Sequence, residues 1–178
     1  EILKWLREQG CPWDSTTTTN AARAGHLELL KWARRNGCDV EKFGVLTSEA
    51  AGRLEVMEWL WRDEAVDVDV ILKFATSGGH LEVMKWAKEQ GCRLHRRLCN
   101  CAASGGKVDA MVWLRENGCT WTEETTLAAA SCGQLAMLKW LRDLGCPWDS
   151  RTCAYATNKG HFEVLKWARE NGCSWDAD

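Results

Sequence analysis

Apolar and polar residues recur with helical spacing in the segment before Gly37. Leu27, Leu30 and Ala33 fall on one side of a helical wheel, whereas Glu28 and the basic residues fall on the opposite side. This arrangement predicts an amphipathic helix, which we name helix B. Gly37 follows it directly, and a glycine in the left-handed conformation is the residue that most often ends such a helix.

A second helix, helix A, is predicted upstream over residues 15–24. It contains Ala21 and Ala22, small residues that favour close packing against a neighbouring helix. The hydroxyl of Ser15 or Thr16 is expected to cap its first turn. The Gly-His dipeptide that follows would make a tight turn, so the two helices form an αα-hairpin.

The hairpin pattern returns every 27 residues along the chain. A tryptophan of helix B keeps this period at seven positions: Trp5, Trp32, Trp59, Trp86, Trp113, Trp140 and Trp167. Because so many tryptophans in register indicate an internal repeat, we predict six full units, preceded in residues 1–11 by the second half of another unit. The approximate bounds of the full units are 12–38, 39–65, 66–92, 93–119, 120–146 and 147–173.

A helix pair of this length cannot bury both of its apolar faces alone. Neighbouring hairpins must therefore cover one another, and the sequence predicts an all-α solenoid of stacked αα-hairpins. The chain has two prolines and no Gly/Ser-rich tract, which favours a single domain over residues 1–178. The helix-B tryptophans are expected to lie in its core, so that replacing a central one, such as Trp86, by alanine would cost about 3–5 kcal/mol.

The charge of the chain limits the classes of partner. Lys and Arg number 23 and Asp and Glu number 25, so the net charge of −2 gives no long-range attraction to nucleic acid or to an anionic membrane. No window approaches the roughly 18 apolar residues of a membrane span, and the first residues do not resemble a secretory signal. We expect a cytoplasmic monomer that binds neither nucleic acid nor membranes. Because the sequence starts inside a unit and without Met, we also expect it to be a segment of a longer protein.

Ten cysteines raise the question of disulfides. Six of them share one position after helix B, where a small apolar residue fits: Cys11, Cys38, Cys92, Cys119, Cys146 and Cys173. Equivalent positions on stacked helices lie roughly 8–10 Å apart, beyond the Cα separation of about 4.4–6.8 Å in a disulfide. We therefore expect free thiols in a reducing compartment.

The candidate chemistry is weak. Cys92, His95, Cys99 and Cys101 have loosely ligand-like spacing, but Cys99 and Cys101 lie two apart on a predicted helix, where side chains diverge. The histidines of the Gly-His turns have no Ser or Cys partner that would suggest nucleophilic catalysis. The basic cluster over residues 93–97 has no interleaved aromatic platform for nucleic acid. We predict no catalytic residues, no metal and no cofactor, and hence no enzyme.

The hairpin sequence resembles the ankyrin repeat family. The run from Ala21 to Lys31, AARAGHLELLK, is similar to the ankyrin signature AAxxGHLEVVK, and residues 79–85 and 160–166 repeat its second part. The loop GCPWD at residues 10–14 stands where ankyrin repeats read GADVN. The resemblance spans essentially the whole chain, and it implies an ankyrin-like solenoid whose function is to bind protein.

One departure from the family concerns the length of the unit, which is usually about 33 residues. The roughly six missing residues fall in the loop before helix A, which in ankyrin repeats carries a projecting β-hairpin finger. The resemblance therefore implies fingers reduced to short turns. We hypothesise that tryptophans of this loop are buried in the space that the finger root usually occupies: Trp13, Trp121, Trp148 and Trp175.

The resemblance also implies that helix A lines the concave side. Positions of helix A that vary between units are then the candidates for binding a partner. We predict a protein-binding surface at Asn20, Arg23, Thr47, Phe74, Ser77, Asn100, Ser104, Ser131, Tyr155 and Asn158. Phe74 and Tyr155 are the expected anchors, because aromatic side chains give a large contact area at a low ordering cost. The alternative is a structural spacer of a larger protein, with no partner of its own.

The segment from Trp61 to Asp69 breaks the repeat. Glu64 and Ala65 replace the usual Gly-Cys, and Trp61 replaces a basic residue of helix B. Because a non-glycine residue is disfavoured in a left-handed cap, helix B is expected to end differently there. The irregularity is interpreted either as a local bend or as a docking site at Trp61.

Overall fold

The computed structural model describes residues 2–41, 44–47, 50–63 and 65–174. All regular structure in these residues is helical, and they contain no strand. The α-helices in chain order are α1 (Ile2–Glu8), α2 (Ser15–Ala24), α3 (Leu27–Arg35), α4 (Leu54–Arg62), α5 (Val68–Gly78), α6 (Leu81–Glu89), α7 (Arg97–Ser104), α8 (Val108–Glu116), α9 (Glu123–Ser131), α10 (Leu135–Asp143), α11 (Ser150–Asn158) and α12 (Phe162–Glu170). The predicted all-α fold is confirmed.

The helices pair into hairpins at the predicted 27-residue spacing. We name the first helices of the hairpins, α2, α5, α7, α9 and α11, the A helices, and the second helices, α1, α3, α4, α6, α8, α10 and α12, the B helices. The unit that contains α4 differs from the prediction. In place of an A helix, its described residues form a turn within 44–47 and the 3-10 helix Ala50–Gly52.

Glycines in the left-handed conformation end both helices of a hairpin. Gly25 after α2 has φ 74° and Gly37 after α3 has φ 81°. Beyond each glycine, the next amide N–H turns back to a carbonyl of the preceding helix, His26 to Ala21 at 2.8 Å and Cys38 to Ala33 at 3.0 Å. The predicted role of these glycines is confirmed.

The start of α2 is capped by Asp14, one residue before the predicted hydroxyls. The Asp14 carboxylate accepts the backbone N–H of Thr16 at 2.9 Å and also accepts its hydroxyl. Ser15 is already the first residue of the helix, so the prediction that Ser15 or Thr16 caps it is wrong. Asp149 caps α11 in the same way, accepting the N–H of Arg151 at 3.0 Å.

The core is formed by small residues of the A helices and by apolar positions on either side of the tryptophan in the B helices. On α2 and α3 these are Ala21 and Ala22, together with Leu30 and Ala33, all of them buried. Equivalent residues are buried in the later units, for example Ala102, Ala103, Met111 and Leu114. The apolar spine therefore runs beside the tryptophan series.

The helix-B tryptophans lie at the edge of this core, which corrects the prediction that they form it. Trp86 alone among them is buried, at 8% exposure, whereas Trp5 is 58% exposed. The others are half-buried: Trp32, Trp59, Trp113, Trp140 and Trp167. The helical wheel explains why the tryptophan lies at the edge. The residue directly before the tryptophan is charged or otherwise faces outward, and the leucine or methionine two residues before the tryptophan points to the centre.

The loop tryptophans pack against the helix-B tryptophans of the same unit. The ring centroids of Trp13 and Trp32 lie 5.4 Å apart with the rings nearly perpendicular, a favourable edge-on contact. Two later units repeat it at 6.1 and 5.8 Å, with the pairs Trp121 and Trp140, and Trp148 and Trp167. The hypothesis of buried loop indoles is wrong, since Trp13, Trp121 and Trp148 are half-buried. Trp175 lies outside the described residues.

Arginines of the preceding B helix cover the outer faces of these loop indoles. The guanidinium of Arg115 lies 4.2 Å from the ring centroid of Trp121, and that of Arg142 lies 4.3 Å from Trp148. Arg115 also donates to the carbonyl of Cys119 at 2.9 Å, which holds it in place. At each such boundary between units, an arginine packs on the loop indole, and the loop indole packs on the helix-B indole. These two contacts cover part of the loop indole, which is half-buried.

Trp61 supplies an indole where the loop lacks one. Asp67 stands at the loop position of that unit, and Trp61 from the preceding helix packs edge-on against Trp86 at 5.7 Å. The structure thus gives Trp61 a packing contact. Glu64 lies outside the described residues, but α4 has the same length as its equivalents, and the N–H of Ala65 reaches the carbonyl of Leu60 at 3.0 Å. Because the cap residue itself lies outside the described residues, the expectation that this helix ends differently stays a prediction.

The cysteines that follow the B helices are buried from Cys38 onward, and Cys11 is exposed. All ten cysteines of the chain are free thiols. The Cys38 thiol donates to the carbonyl of Asp14 at 3.1 Å, and Cys173 donates to Asp149 at 3.3 Å, so the thiol ties the end of a B helix to the loop before the A helix. Burial raises the pKa of Cys92 and of Cys173 to about 12, which keeps both thiols neutral.

The A helices lie on the inner side of the stack. Successive A helices, such as α5, α7 and α9, pack closely on one another, whereas successive B helices touch only sparsely. In a curved stack the closely spaced row lies on the concave side. The A helices form the closely spaced row, which the resemblance implies to be the concave side.

Candidate functional site

Most of the predicted binding residues lie on the concave row of A helices. Asn20 and Arg23 are exposed on α2, and Tyr155 and Asn158 are exposed on α11. The half-buried residues are Phe74 and Ser77 on α5, Asn100 and Ser104 on α7, and Ser131 on α9. Thr47 is the exception, since it is half-buried outside any helix.

The structure brings four of these residues together in one groove between α5 and α7. The groove has a volume of about 270 Å³, and the residues that line it are Lys73, Phe74, Ser77, Asn100, Cys101 and Ser104. We name it the α5–α7 groove. The other six predicted residues lie elsewhere: Asn20, Arg23, Thr47, Ser131, Tyr155 and Asn158.

Two residues of the groove were missed by sequence reasoning, Lys73 and Cys101. The period alone could have found Lys73, because it occupies the position of Asn100 one unit earlier. Cys101 belongs to the same variable position as Phe74 and could have been included on that ground. Their place in the groove follows from the repeat once Phe74 and Asn100 are chosen.

Close approach of the two helices shapes the groove. A Cβ atom added to Gly105, just after α7, would overlap the backbone oxygen of Ser77 on α5, because the two backbones approach so closely. Only glycine allows this approach, so the ends of the helices meet. Gln134, in the turn of the next unit, donates to the carbonyl of Ser104 at 3.2 Å and fixes the same end of α7.

The groove has an apolar part. Phe74 on α5 and the small Cys101 side chain on α7 line it. Burial raises the pKa of the Cys101 thiol, and the nearby Lys73 ammonium opposes that effect only in part. The thiol is therefore neutral at physiological pH and contributes a weakly polar surface.

The rim of the groove offers hydrogen-bond donors. Asn100 Oδ1 accepts the hydroxyl of Thr125 on α9 at 3.0 Å, and this bond leaves the amide N–H₂ of Asn100 for another partner. Ser77 and Ser104 add hydroxyl groups, and Lys73 adds an exposed ammonium. The arrangement suits a ligand that brings acceptors to the rim and an apolar group to the apolar part of the groove.

A second cavity, of about 420 Å³, contains Asn20. It is lined by residues of α1, α2 and the following turn and helix: Leu3, Thr16, Thr17, Asn20, Ala21, Ala24, His26 and Leu29. Of the predicted set, only Asn20 belongs to it. Ser131 uses its hydroxyl within α9, donating to the carbonyl of Ala128 at 3.1 Å.

Candidate metal ligands do not converge. Across the described ranges of the chain, no three His, Cys, Asp or Glu side chains are placed so that they could hold a metal ion. Cys92, His95, Cys99 and Cys101 all belong to those ranges. Likewise, none of the helices in the described part is long and apolar enough to span a membrane.

Comparison with known proteins supports the fold. No family model and no curated protein matches the chain. Among solved structures, the chain resembles the crystal structure of the human ASB11 ankyrin repeat domain, with a TM-score of 0.56 and 19% sequence identity. The similarity covers 88% of this chain and 84% of that one. The chain therefore has the fold of an ankyrin repeat domain, in agreement with the resemblance of its hairpin sequence.

Proposed function

We propose that the chain is a protein-interaction scaffold that binds a protein partner through the concave surface of its A helices. The observation that carries the proposal is the α5–α7 groove, because four of the residues predicted from the sequence line one cavity between two A helices. A rigid row of helices with variable side chains on one face is typical of proteins whose function is recognition.

Other features of the chain agree with such a role. The polar side chains of the groove are uncharged or cationic, and none is paired with a base that would make it a nucleophile. The ten free thiols fit a reducing compartment, and we place the scaffold in the cytoplasm on that ground. The near-neutral charge argues against nucleic acid as the ligand. We expect the scaffold to act as a monomer and without enzymatic activity.

Affinity capture with two matched variants tests the proposal. The test variant carries Phe74→Ala, Asn100→Ala and Tyr155→Ala on the concave surface. The control variant carries three alanines at exposed B-helix positions, Glu55, Glu116 and Glu163. Captured proteins are quantified by mass spectrometry after the far-UV circular dichroism and melting temperature of each variant have been matched to wild type.

The expected result is a protein that wild type and the control capture equally and that the test variant loses by about tenfold or more. If every captured protein is retained equally by all three chains, the concave surface is not the binding site. In that case the chain acts as a structural spacer, or it binds through another face.

A further inference from the structure

The size of the α5–α7 groove restricts what can occupy it. Sites for small molecules and cofactors usually measure roughly 300–1,000 Å³. The groove, at about 270 Å³, lies below that range, and it is an open cleft between two helices. A single large side chain of a partner fits such a space, with the Phe74 ring on one wall and the Cys101 side chain on the other.

Two cations stand beside the groove, unpaired within the part of the chain that the structure describes. Lys73 is exposed on α5, and Arg97 is exposed one turn before Cys101 on α7. Neither cation forms an ion pair with any residue of the described ranges. One unit further along the same row, Glu124 occupies the position of Arg97 and pairs with Arg151 at 2.7 Å. Arg151 is therefore paired beyond the groove, whereas Lys73 and Arg97 beside it form no ion pair within the described ranges.

The uncharged groups of the rim point to the same chemistry. The hydrogen bond from Thr125 occupies Asn100 Oδ1, so the amide N–H₂ is the part of Asn100 that can serve a ligand. Together with the hydroxyls of Ser77 and Ser104 and the Lys73 ammonium, it makes a rim that donates hydrogen bonds. A carboxylate is the protein group that accepts several such bonds at once.

From these observations we infer that the α5–α7 groove binds an extended segment of a partner protein in which a large apolar side chain stands directly beside an aspartate or glutamate. The apolar side chain inserts between Phe74 and Cys101, and the carboxylate lies at the rim against Lys73 and the Asn100 amide. This inference rests on the proposed function, and it names the chemistry of the partner at that surface.

Selection from a phage-displayed library of random 12-residue peptides tests the inference. The full chain is used as bait, and the enriched peptides are synthesised with a fluorescent label for binding measurements by fluorescence polarisation. Lys73→Glu reverses the charge of the rim. Lys166→Glu makes the same change in net charge on the exposed side of α12, far from the groove, and serves as the control. Ser77→Trp fills the groove without removing a core residue.

The expected peptides carry Leu, Ile, Met, Phe or Trp next to Asp or Glu. Their affinity falls about tenfold in Lys73→Glu and in Ser77→Trp and stays within about twofold of wild type in Lys166→Glu. Replacing the acidic residue of the peptide by lysine restores binding to the Lys73→Glu variant. This exchange of charge would locate the carboxylate at Lys73.

Three results would overturn the inference: no enriched peptide, enriched peptides without an acidic residue beside the apolar one, or binding that Ser77→Trp and Lys73→Glu leave unchanged. The proposed function is judged separately by the affinity capture. A partner lost by the concave variant, together with a failed peptide selection, would leave the scaffold proposal standing and remove only the named motif. Peptides that bind the groove as described, together with no captured partner, would support the named motif and leave the scaffold proposal without support from the capture experiment.

Discussion

Thr125 on α9 donates its hydroxyl to Asn100 Oδ1 on α7 at 3.0 Å, and one unit later the equivalent threonine has no such acceptor. That residue, Thr152, is fully buried, and its hydroxyl has no hydrogen-bond partner in the part of the chain that the structure describes. The reason is Leu127 on α9, which occupies the position of Asn100 one unit later and whose side chain cannot accept a hydrogen bond.

Replacing Thr152 by valine is expected to stabilise the fold. Valine has nearly the shape of threonine and removes a buried hydroxyl whose lack of a partner costs about 1–3 kcal/mol. We predict that Thr152→Val raises the free energy of unfolding by about 1 kcal/mol, measured by urea denaturation followed by circular dichroism. The matched variant Thr125→Val should lower it by about the same amount or more, because it removes the hydroxyl that donates to Asn100 Oδ1 and accepts the backbone N–H of Thr122 at the start of α9. Equal effects of the two substitutions would contradict the difference in hydrogen bonding.

The helix-B tryptophans should differ widely in their contribution to stability although they share one position in the repeat. Trp86 is 8% exposed and packs edge-on against Trp61, whereas Trp5 is 58% exposed. We predict that Trp86→Ala lowers the free energy of unfolding by about 3–5 kcal/mol and that Trp5→Ala changes it by less than about 0.5 kcal/mol. Thermal and urea unfolding of both variants checks the difference. A similar loss in both would mean that burial does not determine what this position contributes.

The fold could be predicted because its signals are local and repeated. The period sets the spacing of the hairpins, and glycines such as Gly25 and Gly37 end helices by a conformation that other residues avoid. What could not be predicted is which of several apolar positions of a B helix points to the centre. Leu30 and Ala33 do so, and Trp32 lies at the edge of the core, where its indole packs against Trp13 of the loop.

The candidate site could be predicted only in part, and the reason is geometric. Variation between units identifies positions on the A helices, and the structure places two of the predicted residues, Phe74 and Asn100, in the lining of one groove. The position of a cavity depends on how closely two particular helices approach, and here that distance depends on Gly105 beside Ser77. Such a contact joins residues of different units, so the pattern within one unit does not reveal it.

The buried thiols should make the stability of the protein depend on alkaline pH. Cys99 on α7 is fully buried, and burial raises the pKa of its thiol from the ordinary 9.0 to about 12. Because the pKa is higher in the folded chain than in the unfolded chain, the stabilising contribution of this thiol is complete below pH 9. It is lost as the pH rises from about 9 to about 12, since only the unfolded chain can ionise the thiol there.

A comparison of wild type with Cys99→Ala isolates this effect from the titration of other groups. Between pH 8 and pH 10, the difference in free energy of unfolding between wild type and Cys99→Ala should shrink by about 1.4 kcal/mol, because each pH unit above the unfolded pKa removes that amount for one thiol. Urea denaturation of both proteins at the two pH values measures it. Cys132→Ala serves as the control for loss of a thiol from an exposed position. A constant difference for Cys99→Ala as well would show that folding does not shift the ionisation of the buried thiol.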